Sequence, residues 1–135
     1  MIALDSNVLL RHLYEQDDLT QTRAANRLIG EALASGLPIF VSAVVLVETV
    51  WVLRRAYSMT RAGVISVLEA LCGHPGFAIE HASAVRSSLA AYRAGQADFA
   101  DHLLGRIGAD AGAGTTYTFD AGLRRIRGFT VLDAR

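Results

Sequence analysis

Five carboxylates stand out by position: Asp5 ends an apolar N-terminal run, Glu48 lies inside the most apolar stretch of the chain, Asp98 and Asp101 share the segment Ala97-Asp98-Phe99-Ala100-Asp101-His102, and Asp120 closes a Thr-rich run. Oxygen donors drawn from separate segments suit a hard divalent cation such as Mg²⁺, which keeps several waters besides. Anions gathered without a cation repel one another and raise their own pKa values, and a shared metal resolves that conflict. Glu48 makes the sharpest case. In residues 41–53 an ionised carboxylate has to be paired, protonated or metal-bound, because bare burial of the charge is costly. Its nearest cations in sequence, Arg54 and Arg55, lie six and seven positions on, roughly two turns of a helix with about 3.6 residues per turn. The partner is therefore expected from elsewhere in the fold. A buried ion pair with an arginine is the competing reading.

The other acids each have an ordinary alternative. Asp5 suits a turn or cap before a helix near Asn7, Asp98 suits an N-cap, and Asp120 suits a strand end. The i, i+3 spacing of Asp98 and Asp101 places both on one helical face.

The elements that must carry these acids alternate between strand and helix. Met1-Ile2-Ala3-Leu4 reads as a strand, a turn at Asp5-Ser6-Asn7 follows, and residues 8–14 repeat apolar positions at helical spacing. A second helix spans 20–33, closed by Ser35-Gly36. A strand at 37–41 precedes a long helix capped by Ser42 and running to about Tyr57. Ser58 or Thr60 caps another helix to Leu71 or Cys72, and Gly73-His74-Pro75-Gly76 is a turn. Phe77-Ala78-Ile79 predicts a strand, helices follow at 81–92 and 97–109, and a β-prone run at 115–119 ends at Asp120. A last short helix and a strand at 129–132 complete the chain. This order predicts an α/β architecture with a mainly parallel sheet covered on both faces. Ligands bind such sheets beyond the carboxyl ends of the strands, where Asp5 and Asp120 fall.

The 135 residues, 52% of them hydrophobic, predict one domain over 1–135 with ample material for a core. Thirteen basic residues balance thirteen acidic ones. No net field steers the chain towards nucleic acid or an anionic membrane, so any RNA contact must use local patches. Every basic residue is Arg and none is Lys, a bias read first as genomic base composition, although Arg also forks onto phosphate. Arg11, Arg54 and Arg55 are the RNA-binding candidates, with Arg124, Arg125 and Arg127 as a second group. The single cysteine, Cys72, excludes an internal disulfide and fits a reducing compartment. No run approaches the roughly 18 apolar residues of a membrane span, and a soluble, cytoplasmic protein is expected. His12, His74, His81 and His102 are scattered, with no His–Cys set for zinc. His102 adjoins Asp101 but points about 100° away on a helix, which predicts a peripheral role.

In order and spacing, four segments resemble the acidic motifs of PIN-domain proteins, specifically the VapC type of ribonuclease toxin. They are Ile2-Ala3-Leu4-Asp5-Ser6-Asn7-Val8-Leu9-Leu10-Arg11, Leu46-Val47-Glu48-Thr49-Val50-Trp51-Val52-Leu53-Arg54-Arg55-Ala56-Tyr57, Ala97-Asp98-Phe99-Ala100-Asp101-His102-Leu103-Leu104 and Thr116-Tyr117-Thr118-Phe119-Asp120. The resemblance implies a three-layer α/β/α fold with a mainly parallel central sheet of four to five strands. It implies catalytic acids Asp5, Glu48, Asp101 and Asp120 around Mg²⁺ or Mn²⁺, with Asp98 as an accessory metal-binding acid. Ser6 and Asn7 match the polar positions that orient the first acid or a bound water. The implied reaction is hydrolysis of RNA phosphodiester bonds (tRNA, rRNA or mRNA) by a metal-activated water. The implied partners are a VapB-like antitoxin and a second copy of the chain. Two rivals stand beside this reading: a non-catalytic PIN-like binding module, and an Mg²⁺ phosphatase with Asp5 as nucleophile, which ordinarily wants a Lys that this chain lacks.

Overall fold

The N-terminal strand β1 (Ile2–Ala3) is only two residues long and ends where Asp5 caps helix α1 (Ser6–Leu13), its side chain accepting from the Val8 N–H at 3.0 Å. The helix therefore begins at Ser6, two residues before the apolar periodicity predicts. These elements belong to a computed structural model that describes residues 1–14 and 18–134. The chain divides into two compact units, Met1–Ala82 and Ser83–Arg135.

In the first unit, α2 (Leu19–Ser35) stops at Gly36, whose φ of 72° is the left-handed conformation that ends helices. Strand β2 (Ile39–Val41) follows, then α3 (Ala43–Arg55), α4 (Arg61–Gly73) and strand β3 (Phe77–Ile79). Ser42 and Thr60 cap α3 and α4 through the N–H groups of Val45 and Gly63, at 3.1 and 3.0 Å. All three strands are parallel in the order β1-β2-β3, with Ile2 opposite Ile39 and Ile39 opposite Phe77. Ile39 and Val41 on the central strand are fully buried, as are Leu9, Ile29, Leu46, Leu53, Val64 and Leu68 from the helices. These side chains form the core that holds the strand ends in place.

The second unit contains α5 (Ala82–Arg93), α6 (Phe99–Asp110), strand β4 (Thr116–Thr118), a 3-10 turn (Ala121–Leu123) and strand β5 (Phe129–Val131). Its buried side chains include Val85, Leu89, Tyr92, Phe99, Leu103 and Leu123, and the Tyr92 and Phe99 rings meet edge to face at 6.2 Å. Strands β4 and β5 run parallel, with Thr116 opposite Phe129.

The mixed, parallel α/β class predicted from sequence is the one observed. Where the sequence predicts one sheet of four to five strands, the five described strands are arranged as a three-stranded sheet in the first unit and a two-stranded one in the second. The strands are short: β1 pairs two residues with β2, and β4 pairs three with β5. Among the described residues, no helix is long and apolar enough to cross a membrane.

Candidate functional site

The predicted acids fall into two groups, Asp5 and Glu48 in the first unit and Asp98, Asp101 and Asp120 in the second. Asp5 spends one carboxylate oxygen on the cap of α1 and is otherwise exposed. Its neighbour Ser6 is buried and donates its hydroxyl to Oε1 of Glu48. That bond joins the start of α1 to the middle of α3 and sets Glu48 against the residue next to Asp5.

Glu48 itself corrects an expectation. The apolar run around it predicts a buried carboxylate, yet the residue is exposed. Helix α3 turns Leu46, Thr49, Val50 and Leu53 into the core and leaves Val44, at 75% exposure, and Trp51, at 60%, on the open face with Glu48. Thr49 is fully buried and returns its hydroxyl to the Val45 carbonyl at 2.7 Å. Solvent thus removes the burial penalty, and what distinguishes Glu48 is its bond to Ser6.

In the second unit Asp98 occupies the N-cap position of α6 without a side-chain capping bond, which leaves both of its carboxylate oxygens outside the helix's own bonding. Asp101 lies in the first turn of α6 and is half-buried. Burial, then the negative charges of Asp98 and Asp120, push its carboxyl above the ordinary range; a hydrogen bond with the Asp98 backbone and the charge of His102 partly oppose this. Asp120 follows β4 and caps the 3-10 turn, with Oδ1 accepting from the Gly122 N–H at 2.8 Å, while its own N–H donates to Thr118 Oγ1 at 3.0 Å. The cap expected at Asp5 is present, Asp98 holds the N-cap position without the side-chain bond, and Asp120 follows its strand as expected and caps the 3-10 turn as well.

The remaining candidates are dispersed. Asn7 and Arg11 line a cavity of about 250 Å³ with Gln21 and Leu28 of α2. Nε and Nη1 of Arg11 are buried and have no hydrogen-bond partner among the described residues. Arg54 donates from Nη1 to the Met59 carbonyl at 2.8 Å and closes the turn after α3. The Arg55 guanidinium lies 5.9 Å from the centre of the Trp51 ring. Arg124, Arg125 and Arg127 are exposed. Sequence reasoning passed over Glu80, which follows β3 as Asp5 follows β1. Its Oε1 accepts from the Ala43 N–H at 2.9 Å, at the start of α3. The signal was its place at a strand's carboxyl end.

The donor chemistry of both groups fits a hard divalent cation. Every predicted ligand is a carboxylate, and Asp101 is raised by burial and then by the charges of Asp98 and Asp120, the second of which such an ion relieves. Among the described residues, no three His, Cys, Asp or Glu side chains gather closely enough to hold an ion by themselves.

The sequence profile of the PIN domain matches residues 2–128. The chain belongs to the PIN domain family. That domain is a nuclease-type fold, in general a hydrolase with a nucleic-acid substrate, and it typically binds divalent metal ions. No curated protein matches the chain.

Proposed function

We propose that this PIN domain is an endoribonuclease dependent on Mg²⁺ or Mn²⁺, the VapC-type toxin of a toxin–antitoxin pair. The observation that carries the reading is the environment of Asp101, whose carboxyl is raised by burial and by the facing charges of Asp98 and Asp120. A cation relieves the part of that rise that comes from neighbouring negative charge. Asp5, Glu48 and Asp101 are the acids that hold it, Asp120 is the fourth and Asp98 an accessory. Ser6 orients Glu48 through its hydroxyl, and Asn7 is the second orienting residue. When bound, the cation supplies Lewis acidity for water activation and offsets charge at the phosphodiester. Of the arginines expected at the RNA backbone, Arg11, Arg54 and Arg55, the exposed Arg55 supplies the local positive charge in a protein with no net charge, while Arg54 is tied to the Met59 carbonyl and Arg11 keeps part of its guanidinium buried. In this reading the chain is a single PIN-like domain that acts in the cytoplasm, forms a homodimer and is held inactive by a VapB-like antitoxin.

The test is RNA cleavage by the purified chain in Mg²⁺, Mn²⁺ or EDTA, with sequencing of the new RNA ends. Asp5→Asn and Glu48→Gln are expected to abolish cleavage and leave the circular dichroism spectrum unchanged. Cleavage that survives either substitution rejects the proposal. RNA that binds the wild-type chain and stays intact in both metals makes the chain a non-catalytic binding module. Growth arrest on expression, relieved by the adjacent small open reading frame, is the expected mark of the toxin pair.

A further inference from the structure

The second unit carries an open cavity of about 620 Å³ that none of the five acids lines. Its walls are α5, α6 and the segment 126–129, and its lining includes Ser88, His102, Arg106, Arg127 and Phe129. On α6 the lining positions 102, 105, 106 and 109 recur at helical spacing and form one face. Asp101 projects from α6 about 100° around the helix from His102.

Ser88 is the most informative of these residues. It is 2% exposed in the middle of α5, and its Oγ has no hydrogen-bond partner among the described residues. Buried hydroxyls are almost always bonded, and a helical serine ordinarily turns back to a carbonyl of the preceding turn. Ser88 lines the cavity, and its buried hydroxyl has a bond still to make. Two exposed arginines line the same cavity. Arg106 pairs with Asp110 at 3.5 Å and, having five N–H donors, keeps several for another acceptor; Arg127 lies on the lining segment 126–129. The ring of Phe129 closes against Gly105, where a Cβ would lie 2.7 Å from it, so the glycine is what admits an aromatic face to this wall.

Guanidinium forks suit a phosphate, an aromatic side chain suits the flat face of a base, and an unsatisfied hydroxyl suits a ribose or base edge. The volume falls within the roughly 300–1,000 Å³ of small-molecule sites. We propose that this cavity binds a nucleoside monophosphate unit, free or as part of an RNA strand, through Arg106 and Arg127 at the phosphate, Phe129 at the base and Ser88 at a sugar or base edge. The proposal does not depend on RNA cleavage, because the acids take no part in it.

The experiment is a titration of the ¹⁵N-labelled full chain in EDTA, which silences any metal-dependent chemistry, with AMP, UMP, a short single-stranded RNA, adenosine and inorganic phosphate as separate probes. Saturable shifts of the Ser88, Gly105 and Phe129 amide signals are expected with the nucleotides or the RNA. Shifts with mononucleotides identify a free nucleotide as a sufficient ligand, and shifts with the RNA alone identify a strand. Arg127→Gln and Ser88→Ala are each expected to weaken binding by about tenfold, the scale of one hydrogen bond to a charged or buried group. No saturable shift at these residues overturns the proposal. So does equal affinity for inorganic phosphate, or wild-type binding by both variants. Absence of RNA cleavage by the chain leaves this result untouched.

Discussion

The hydroxyl of Ser6 donates to Oε1 of Glu48 across 42 positions of sequence. One partner is buried beside the Asp5 cap, and the other is an exposed side chain on α3. A glutamate on an open helix face samples several rotamers, and a fixed donor at its oxygen selects one of them. Partners that orient a metal-binding carboxylate commonly matter by about 10- to 100-fold in affinity or activity. Ser6→Ala is therefore expected to lower Mg²⁺ affinity and RNA cleavage by at least about tenfold while stability falls by only roughly 1 kcal/mol. Urea denaturation and Mg²⁺ titration measure the two effects separately. An unchanged metal affinity would remove the orienting role.

Asp101 gives a prediction with a definite sign. Its carboxyl is raised by burial first and by Asp98 and Asp120 next, so the folded chain holds that proton more tightly than the unfolded chain does. The contribution to stability is greatest below the ordinary carboxylate range and is lost as pH rises through the raised value. Asp101→Asn, which carries no charge at any pH, avoids that loss. In EDTA the variant is expected to melt above the wild type at neutral pH, with the difference closing in acid. Mg²⁺ is expected to raise the melting temperature of the wild type and to do little for the variant, since a ligand stabilises only the state that binds it. Differential scanning fluorimetry from acid to neutral pH, with and without Mg²⁺, checks both arms.

Local chemistry was legible in the sequence wherever one residue decides it. Ser42 and Thr60 announce helix starts because their hydroxyls reach the third N–H onward, and the acid after β1 and the acid after β4 were placed by the strand ends they follow. Facing was harder to read. Helix α3 is apolar almost all round, so its sequence does not say which side is covered, and Glu48 was assigned to the interior when it lies on the open side with Val44 and Trp51. Strand partners were illegible for a related reason: β4 and β5 are three residues each, too short for a pattern to choose between neighbours. The role of Arg54 depends on the chain reversal after α3, where Ser58 has a φ of 51°, and no helical periodicity foretells that.

Gly36 offers a clean test of a local rule. Its φ is 72°, and a Cβ built there meets nothing within 4 Å. Gly36→Ala thus adds backbone strain without a clash. A loss of about 1 kcal/mol is expected, the scale of forcing a residue with a side chain into the left-handed region. Equilibrium unfolding in urea measures it, and an unchanged midpoint would show that α2 ends by another means.

Arg54 and Arg55 are neighbours with different work to do. Arg54 ties its guanidinium to the Met59 carbonyl at 2.8 Å, and the Met59 N–H returns to the Leu53 carbonyl at 2.9 Å, so the side chain is part of the turn. Arg54→Ala is expected to cost roughly 0.5–1 kcal/mol of stability, discounted for its exposure. Arg55 rests on Trp51 at 5.9 Å on the exposed face that also carries Glu48, a contact worth about 0.5 kcal/mol at such sites. Its charge remains available to an RNA phosphate. In a Glu48→Gln background, chosen because the proposed function expects it to abolish cleavage, Arg55→Ala is expected to weaken RNA binding and to reduce the salt dependence by about 0.7 in the logarithmic slope, the value for one phosphate on a single strand. Binding isotherms over a range of salt, beside denaturation of the same proteins, separate the two residues. A salt slope that changes with Arg54→Ala and not with Arg55→Ala would exchange their roles.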